Sequence, residues 1–442
     1  MSQERLHGGA ALRLCLLGLL TALPAYFLGR GLLLAIHAIA NLCYRGAFSC
    51  ADLPLAGPWP LWCALVPALG GLLIGLVARY GSPAVRGHGI PEVIETVLSK
   101  DSRIPGKVAL LKPLCSAVSI GSGGPFGAEG PVIGLGGSLG SLLGQVLPVG
   151  DWERKVLLSA GAAAGITAVF GCPVAATLLA LELLLYELSP LALAVVGLAS
   201  GLSACLRLAG LGDAPLFPMA ALDVGKAWTP ACYAALGLPL GLAAAGITRA
   251  VGWSEHAFER LPIHWMWWPA LGGLAVGGLG LLEPRILGPS YGSIADTLNG
   301  QLVAGALLAF VGLKALAWIL ALGSGTAGGT LAPLFGIGAG LGALLTAAAA
   351  GLWPGLGLDP RLGALVGMAA VFAGASHAPL ASMILALETT HRLQAALPLL
   401  GACLLATLLC QVLLPHSLMT EGPQRRGVRF PASRGGPGRR GP

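Results

Sequence analysis

The chain has 442 residues, of which 55% are hydrophobic and only 10% charged, with a mean hydropathy of +0.81. Soluble domains carry about 25% charged residues, and disordered chains pair low hydrophobicity with high charge, so both classes are excluded. Gly 68 and Pro 32 occupy 100 positions with no Gly-x-y period, which excludes collagen and leaves a polytopic membrane protein with many broken helices.

The net charge of +7 is concentrated at the end, where Arg425, Arg426, Arg429, Arg434, Arg439 and Arg440 face one acid, Glu421. A basic tail over 421–442, beside a membrane domain over 1–420, reads as cytoplasmic and as a partner of the anionic leaflet. Nucleic acid is not expected, because no folded basic domain or aromatic platform accompanies the tail. The ten cysteines form no CxxC and no His/Cys metal spacing, so neither metal nor cofactor is expected. Most lie in apolar runs as small hydrophobes; Cys43 and Cys50 are the pair left open to a disulfide.

In chain order, residues 11–40 read as a retained first helix. The loop 41–58 holds one basic residue, Arg45, and 60–78 crosses back. Segment 79–107 then holds Arg79, Arg86, Lys100, Arg103 and Lys107. One basic residue against five places 79–107 inside and the amino terminus with it, in a cell (inner) membrane. Beyond this point short apolar runs alternate with glycine clusters at 121–140, 161–172 and 323–343. Segment 226–260 turns polar at Glu255, His256, Glu259 and Arg260, as a helix leaving the bilayer would. Trp265, Trp267 and Trp268 suit an interfacial belt.

An internal repeat organises the rest. Gly121-Ser-Gly-Gly-Pro-Phe-Gly-Ala-Glu-Gly-Pro131 matches Gly323-Ser-Gly-Thr-Ala-Gly-Gly-Thr-Leu-Ala-Pro333 at an offset of 202. Both run into the same glycine pattern, Gly134 to Gly140 and Gly336 to Gly342. Pro173-Val-Ala-Ala-Thr-Leu-Leu-Ala-Leu-Glu182 matches Pro379-Leu-Ala-Ser-Met-Ile-Leu-Ala-Leu-Glu388 at an offset of 206. Halves of about 60–211 and 267–415 follow. Paired interrupted segments in two halves point to a transport site.

Bare backbone at membrane depth is tolerated only in protein or along a cavity. Proline is at home in a first helical turn, so Pro131 and Pro333 are expected to open helices whose free N–H groups and dipoles attract an anion. Such a site needs no buried cation and releases its ion readily. Glu129, expected one turn before the first of these helices, resembles the anion and is the candidate gate. It occupies the site when charged and leaves when protonated. A third loop, Gly87-His88-Gly89-Ile90-Pro91-Glu92, offers His88 as a donor or as a structural residue. Glu182 and Glu388 are expected to fix helix ends, and Lys314 to pair or snorkel. An intramembrane enzyme is not expected: Ser376 and His377 are adjacent and point apart on a helix, and no dyad needs duplicated glycine loops.

In this order the motifs resemble the CLC family of chloride channels and chloride/proton exchangers, of the prokaryotic type without a regulatory domain, over roughly 10–421. The family's filter motifs Gly-Ser-Gly-Ile-Pro, Gly-(Lys/Arg)-Glu-Gly-Pro and Gly-x-Phe-x-Pro read Gly87-His-Gly-Ile-Pro91, Gly127-Ala-Glu-Gly-Pro131 and Gly329-Thr-Leu-Ala-Pro333. A fourth, Ser-Ile-Tyr-Thr, reads Ser417-Leu-Met-Thr420, followed by Arg425-Arg426-Gly427. The resemblance implies an all-α fold, a CLC-type inverted repeat with many short, tilted and broken helices, and a homodimer in contact through about 172–211 and 378–415. It implies chloride held by the amides of Ala128, Glu129, Thr330, Leu331 and Ala332, near His88 and Met419, with Glu129 as gate. The family's serine is replaced by His88, its tyrosine by Met419 and its phenylalanine by Leu331. The exchangers' second, proton-loading glutamate is replaced by Leu183, which relays no proton; Glu182 points about 100° away on a helix. The reading is therefore chloride transport that is passive or weakly proton-coupled, with a chloride/proton antiporter as the alternative and another small anion such as fluoride as a further one.

Overall fold

The computed structural model describes residues 8–430 apart from 54–56, 58, 223–227 and 303. Arg434, Arg439 and Arg440 of the basic tail lie outside the described residues. Among those described there are eighteen α-helices, two isolated β-bridges and no strand.

The chain opens with α1 (Gly8–Arg45), which at 38 residues is roughly 57 Å long, well over the bilayer core of about 30 Å. The first half continues as α2 (Leu65–Tyr80), α3 (Ile90–Ser99), α4 (Gly106–Gly121), α5 (Glu129–Val146), α6 (Asp151–Phe170), α7 (Pro173–Leu179) and α8 (Pro190–Leu211). Helices α9 (Thr229–Ala235) and α10 (Gly237–Glu259) connect the halves. The second half follows as α11 (Trp268–Leu282), α12 (Tyr291–Leu298), α13 (Ala304–Gly323), α14 (Leu331–Leu352), α15 (Pro360–Ser376), α16 (Pro379–Thr390) and α17 (Ala396–Leu413), and α18 (Glu421–Arg425) closes the described chain. Eight of the helical spans are long and apolar enough to cross a membrane.

The order short, long, long, long, short, long from α3 to α8 recurs from α12 to α17. The helices heading the two sets, α2 and α11, pack on each other. A Cβ at Gly71 would lie 2.1 Å from the Pro269 carbonyl oxygen, and one at Gly277 would lie 1.9 Å from that of Ala64. Low numbers in one helix thus meet high numbers in the other, so equivalent helices run antiparallel and the repeat is inverted. In lipid no hydrophobic force drives helices together, and small residues that let backbones touch supply the packing.

Three local expectations change. Helices α5 and α14 begin at Glu129 and Leu331, two residues before Pro131 and Pro333. Each proline sits at the third position, where its missing N–H is still one of the four a helix start leaves unpaired. Glu129 is therefore the first residue of its helix, not one turn ahead of it. The polar end of segment 226–260 belongs to α10, which starts only at Gly237. All ten cysteines are free, Cys43 and Cys50 included.

Candidate functional site

The four motif loops meet at one place. Gly127 and Gly329 form an antiparallel bridge, Gly127 N–H donating to the Gly329 carbonyl at 3.2 Å and Gly329 N–H returning the bond at 2.9 Å. Gly87 bridges Ala327 in parallel. A Cβ at Gly130 would lie 2.0 Å from the His88 carbonyl oxygen, and one at Gly329 would lie 2.4 Å from that of Gly127. The glycines let three backbones touch and set the starts of α3, α5 and α14 around one point. The fourth loop arrives through Met419, fully buried, whose sulfur lies 4.0 Å from the Thr330 hydroxyl.

The first N–H groups of each helix lack partners within it and carry the positive end of the dipole. Ala128, Thr330, Leu331 and Ala332 are all buried at these starts. His88 is half-buried; its Nδ1 has no partner among the described residues, and its carbonyl lies against Gly130. Behind it, Gly89 has a φ of +91°, a conformation open to glycine, and donates its N–H to Glu92 Oε2 at 2.7 Å. Lys112 pairs with the same oxygen at 3.2 Å. That carboxylate is committed to holding the loop.

Glu129 is 1% exposed. Its Oε1 accepts a hydrogen bond from the Tyr291 hydroxyl at 3.2 Å, while Oε2 lies against Gly127 and Gly329 and has no hydrogen-bond partner among the described residues. The side chain thus occupies the junction of the two helix starts.

Sequence reading missed Tyr291. It belongs to none of the motifs, lies 162 residues from Glu129, and no periodic signal links the two. Lys314 does not snorkel and forms no ion pair among the described residues: it is fully buried and donates to the carbonyls of Ile286 and Gly288 and to the Ser290 hydroxyl at 2.7–2.8 Å. Glu182 and Glu388 do fix helix ends, each that of the other's repeat. Glu388 accepts from the N–H groups of Val174 and Ala175 at the start of α7, at 3.1 and 2.7 Å. Glu182 accepts from Ala381 at the start of α16, at 3.1 Å.

Two cavities lie beside the motif loops. One, of about 780 Å³, is lined by Arg86, His88, Lys112, Pro131, Leu418 and Arg426. The other, of about 670 Å³, is lined by Glu182, Leu183, His377, His416, Ser417 and Thr420. Residues of α18 line both, so they open on one face of the molecule. Leu183 is buried in a π turn, Ala180–Leu185, that ends α7.

The family model described as voltage gated chloride channel matches residues 70–411. The chain is similar to a putative chloride channel protein ClcB-like from Ralstonia nicotianae, with 31% identity over 85% of this chain and 91% of the relative. It is similar to an H(+)/Cl(-) exchange transporter ClcA from Salmonella arizonae, with 31% identity over 80% of this chain and 76% of the relative. Its fold is similar to that of a slow cyanobacterial Cl-/H+ antiporter, with a TM-score of 0.82 and 23% identity over 95% of this chain and 98% of that one.

Proposed function

The chain belongs to the CLC family of voltage gated chloride channels and exchangers, proteins of anion transport, and from that premise we propose that it exchanges chloride for protons. The observation that carries this reading is the Glu129 carboxyl group, wedged between the starts of α5 and α14 with one oxygen unpartnered. Carboxylate and chloride claim the same N–H groups and exclude each other. Protonation removes the carboxyl charge and with it the competition. Charged carboxylate and chloride then alternate at one point, and each change of place takes up or releases a proton, which links the two ions as exchange requires. The amides of Ala128, Glu129, Thr330, Leu331 and Ala332 hold the anion, with His88 and Met419 on the approach.

Relatives named as exchangers support this reading over the passive pathway that Leu183 by itself suggests. Protons reach the inner side through the cavity lined by His377, His416 and Leu183. The approach lined by Arg86, Lys112 and Arg426 suits the anion. The protein acts in the cell (inner) membrane with both termini cytoplasmic. It acts as a homodimer through α7, α8, α16 and α17, which expose Leu193, Leu380 and Leu408.

One observation favours passive or weakly coupled flow: an apolar Leu183 in place of a proton-loading carboxylate. Proteoliposomes loaded with chloride, with external pH recorded, separate the two readings. Exchange drives protons uphill in an uncoupler-sensitive way. Chloride loss without proton movement means passive flow. No flux of chloride or of fluoride beyond that of empty liposomes removes the anion-transport reading of the site.

A further inference from the structure

We propose that Tyr291 is a latch on the Glu129 gate and that Lys314, acting through Ser290, is the positioning residue that sets it; the proposal rests on the gating reading of Glu129. The Tyr291 hydroxyl stands between two parts of the anion site. It accepts a hydrogen bond from the Ala128 N–H at 3.4 Å and donates one to Glu129 Oε1 at 3.2 Å. One hydroxyl thereby occupies an amide that the anion needs and holds the charged form of the gate. A bond to a carboxylate is stronger than one to a neutral carboxyl, so the latch loosens when Glu129 takes a proton.

The hydroxyl is held where it is. Its ring packs against Phe170 and Phe217, each at a centroid distance of 6.1 Å, edge-on to the first and tilted to the second. Ser290, one residue earlier, has a φ of +60°, a left-handed conformation that an L-residue keeps only when its surroundings impose it. The surroundings are specific: the Ser290 hydroxyl donates to the Arg285 carbonyl at 2.7 Å and accepts from Lys314 Nζ at 2.8 Å. The other two bonds of Lys314 go to carbonyls of the same loop, and Arg285 forks onto Glu283 at 2.7 and 2.9 Å at the loop's far end. Loop 283–290 is thus pinned from inside and presents Tyr291 in one orientation.

Lys314 has a second consequence. Ionisable groups at membrane depth are costly and persist where they serve a pathway. Its charge is answered by three neutral oxygens, and the acid on which it acts electrostatically is Glu129. Among the described residues, Tyr291 on α12 and Lys314 on α13 are the titratable groups that act on Glu129, and Asp52 acts on Tyr291.

The test is chloride efflux against pH from proteoliposomes containing the full-length protein, Tyr291→Phe, Glu129→Gln and the double variant. Phenylalanine keeps the ring and removes the donor. Tyr291→Phe should raise flux at neutral and alkaline pH about tenfold, the size of one hydrogen bond to a charged group, and should move half-activation to higher pH. In the Glu129→Gln background the same substitution should change flux less than twofold. Ser290→Ala should shift the profile in the same direction by less, and stands in if Tyr291→Phe does not fold. An unshifted pH profile in Tyr291→Phe overturns the latch, as does an equal effect of Tyr291→Phe with and without the carboxylate. If Glu129→Gln itself keeps the wild-type pH dependence, the gating reading fails; if it flattens the profile while Tyr291→Phe is silent, only the latch fails.

Discussion

The repeat contains two kinds of carboxylate position, and they part at one substitution. Glu182 and Glu388 occupy equivalent places, and each accepts amide hydrogen bonds from the helix start of the opposite half. Glu129 and Leu331 also occupy equivalent places, as the first residues of α5 and α14, but only one of them is an acid. The symmetric pair is bound by backbone and has no reason to move. The lone acid leaves one oxygen without a partner among the described residues and sits between the two helix starts, where the proposed anion site is. Duplication built two matching helix starts, and the proposed gate is the position where the copies differ.

The comparison breaks hardest if the cradle itself is filled. Alanine at Gly130 would put its Cβ 2.0 Å from the His88 carbonyl oxygen, with backbone on both sides and no flexible side chain to yield. Gly130→Ala should lower chloride flux at least a hundredfold or prevent assembly, seen by efflux and gel filtration. Gly134→Ala, one turn along the same helix with nothing within 4 Å of its Cβ, should behave as wild type. Equal tolerance at both would mean that the contact of loops does not form the site.

The next effect separates the two kinds of acid. Wild-type flux should rise as pH falls, because protonation discharges Glu129 and opens the site. Glu129→Gln imitates that form, so flux should become several-fold higher at neutral pH, flat with pH and free of proton movement. Glu182→Gln and Glu388→Gln should retain the pH dependence. If either abolishes it instead, that acid belongs to the proton route and the division fails.

The smallest effect is on stability. Glutamine at 182 or 388 keeps the acceptor but loses its charge at a helix start, and should cost about 1–2 kcal/mol each. Thermal unfolding in detergent, followed by fluorescence, should show a Tm lowered by a few degrees in both variants and by a similar amount. Unequal shifts would mean that the two ends of the repeat are not equivalent.

Much of this was legible in the sequence because it is a matter of local backbone. Glycine clusters ending in proline marked the loops and helix starts to within two residues, and the matching of 121–131 with 323–333 announced the duplication. Glu182 and Glu388 were readable as helix-end acceptors from their position alone, though not which helix each would serve. Lys314 was misjudged: a lone lysine in an apolar run gives no sign of whether it reaches water or three oxygens of one loop.

What the sequence determined by itself is the membrane class, the repeat and the glycine loops that precede helix starts, since these follow from hydropathy, from proline's missing donor and from glycine's missing side chain. What the tertiary structure decided is how distant parts answer one another: the Gly127–Gly329 bridge, the crossed capping of α7 and α16, and the placing of Tyr291 against Glu129 across 162 residues. A hydrogen bond between such distant groups imposes no period and no spacing on the chain, so nothing in the order of residues records it until the fold closes.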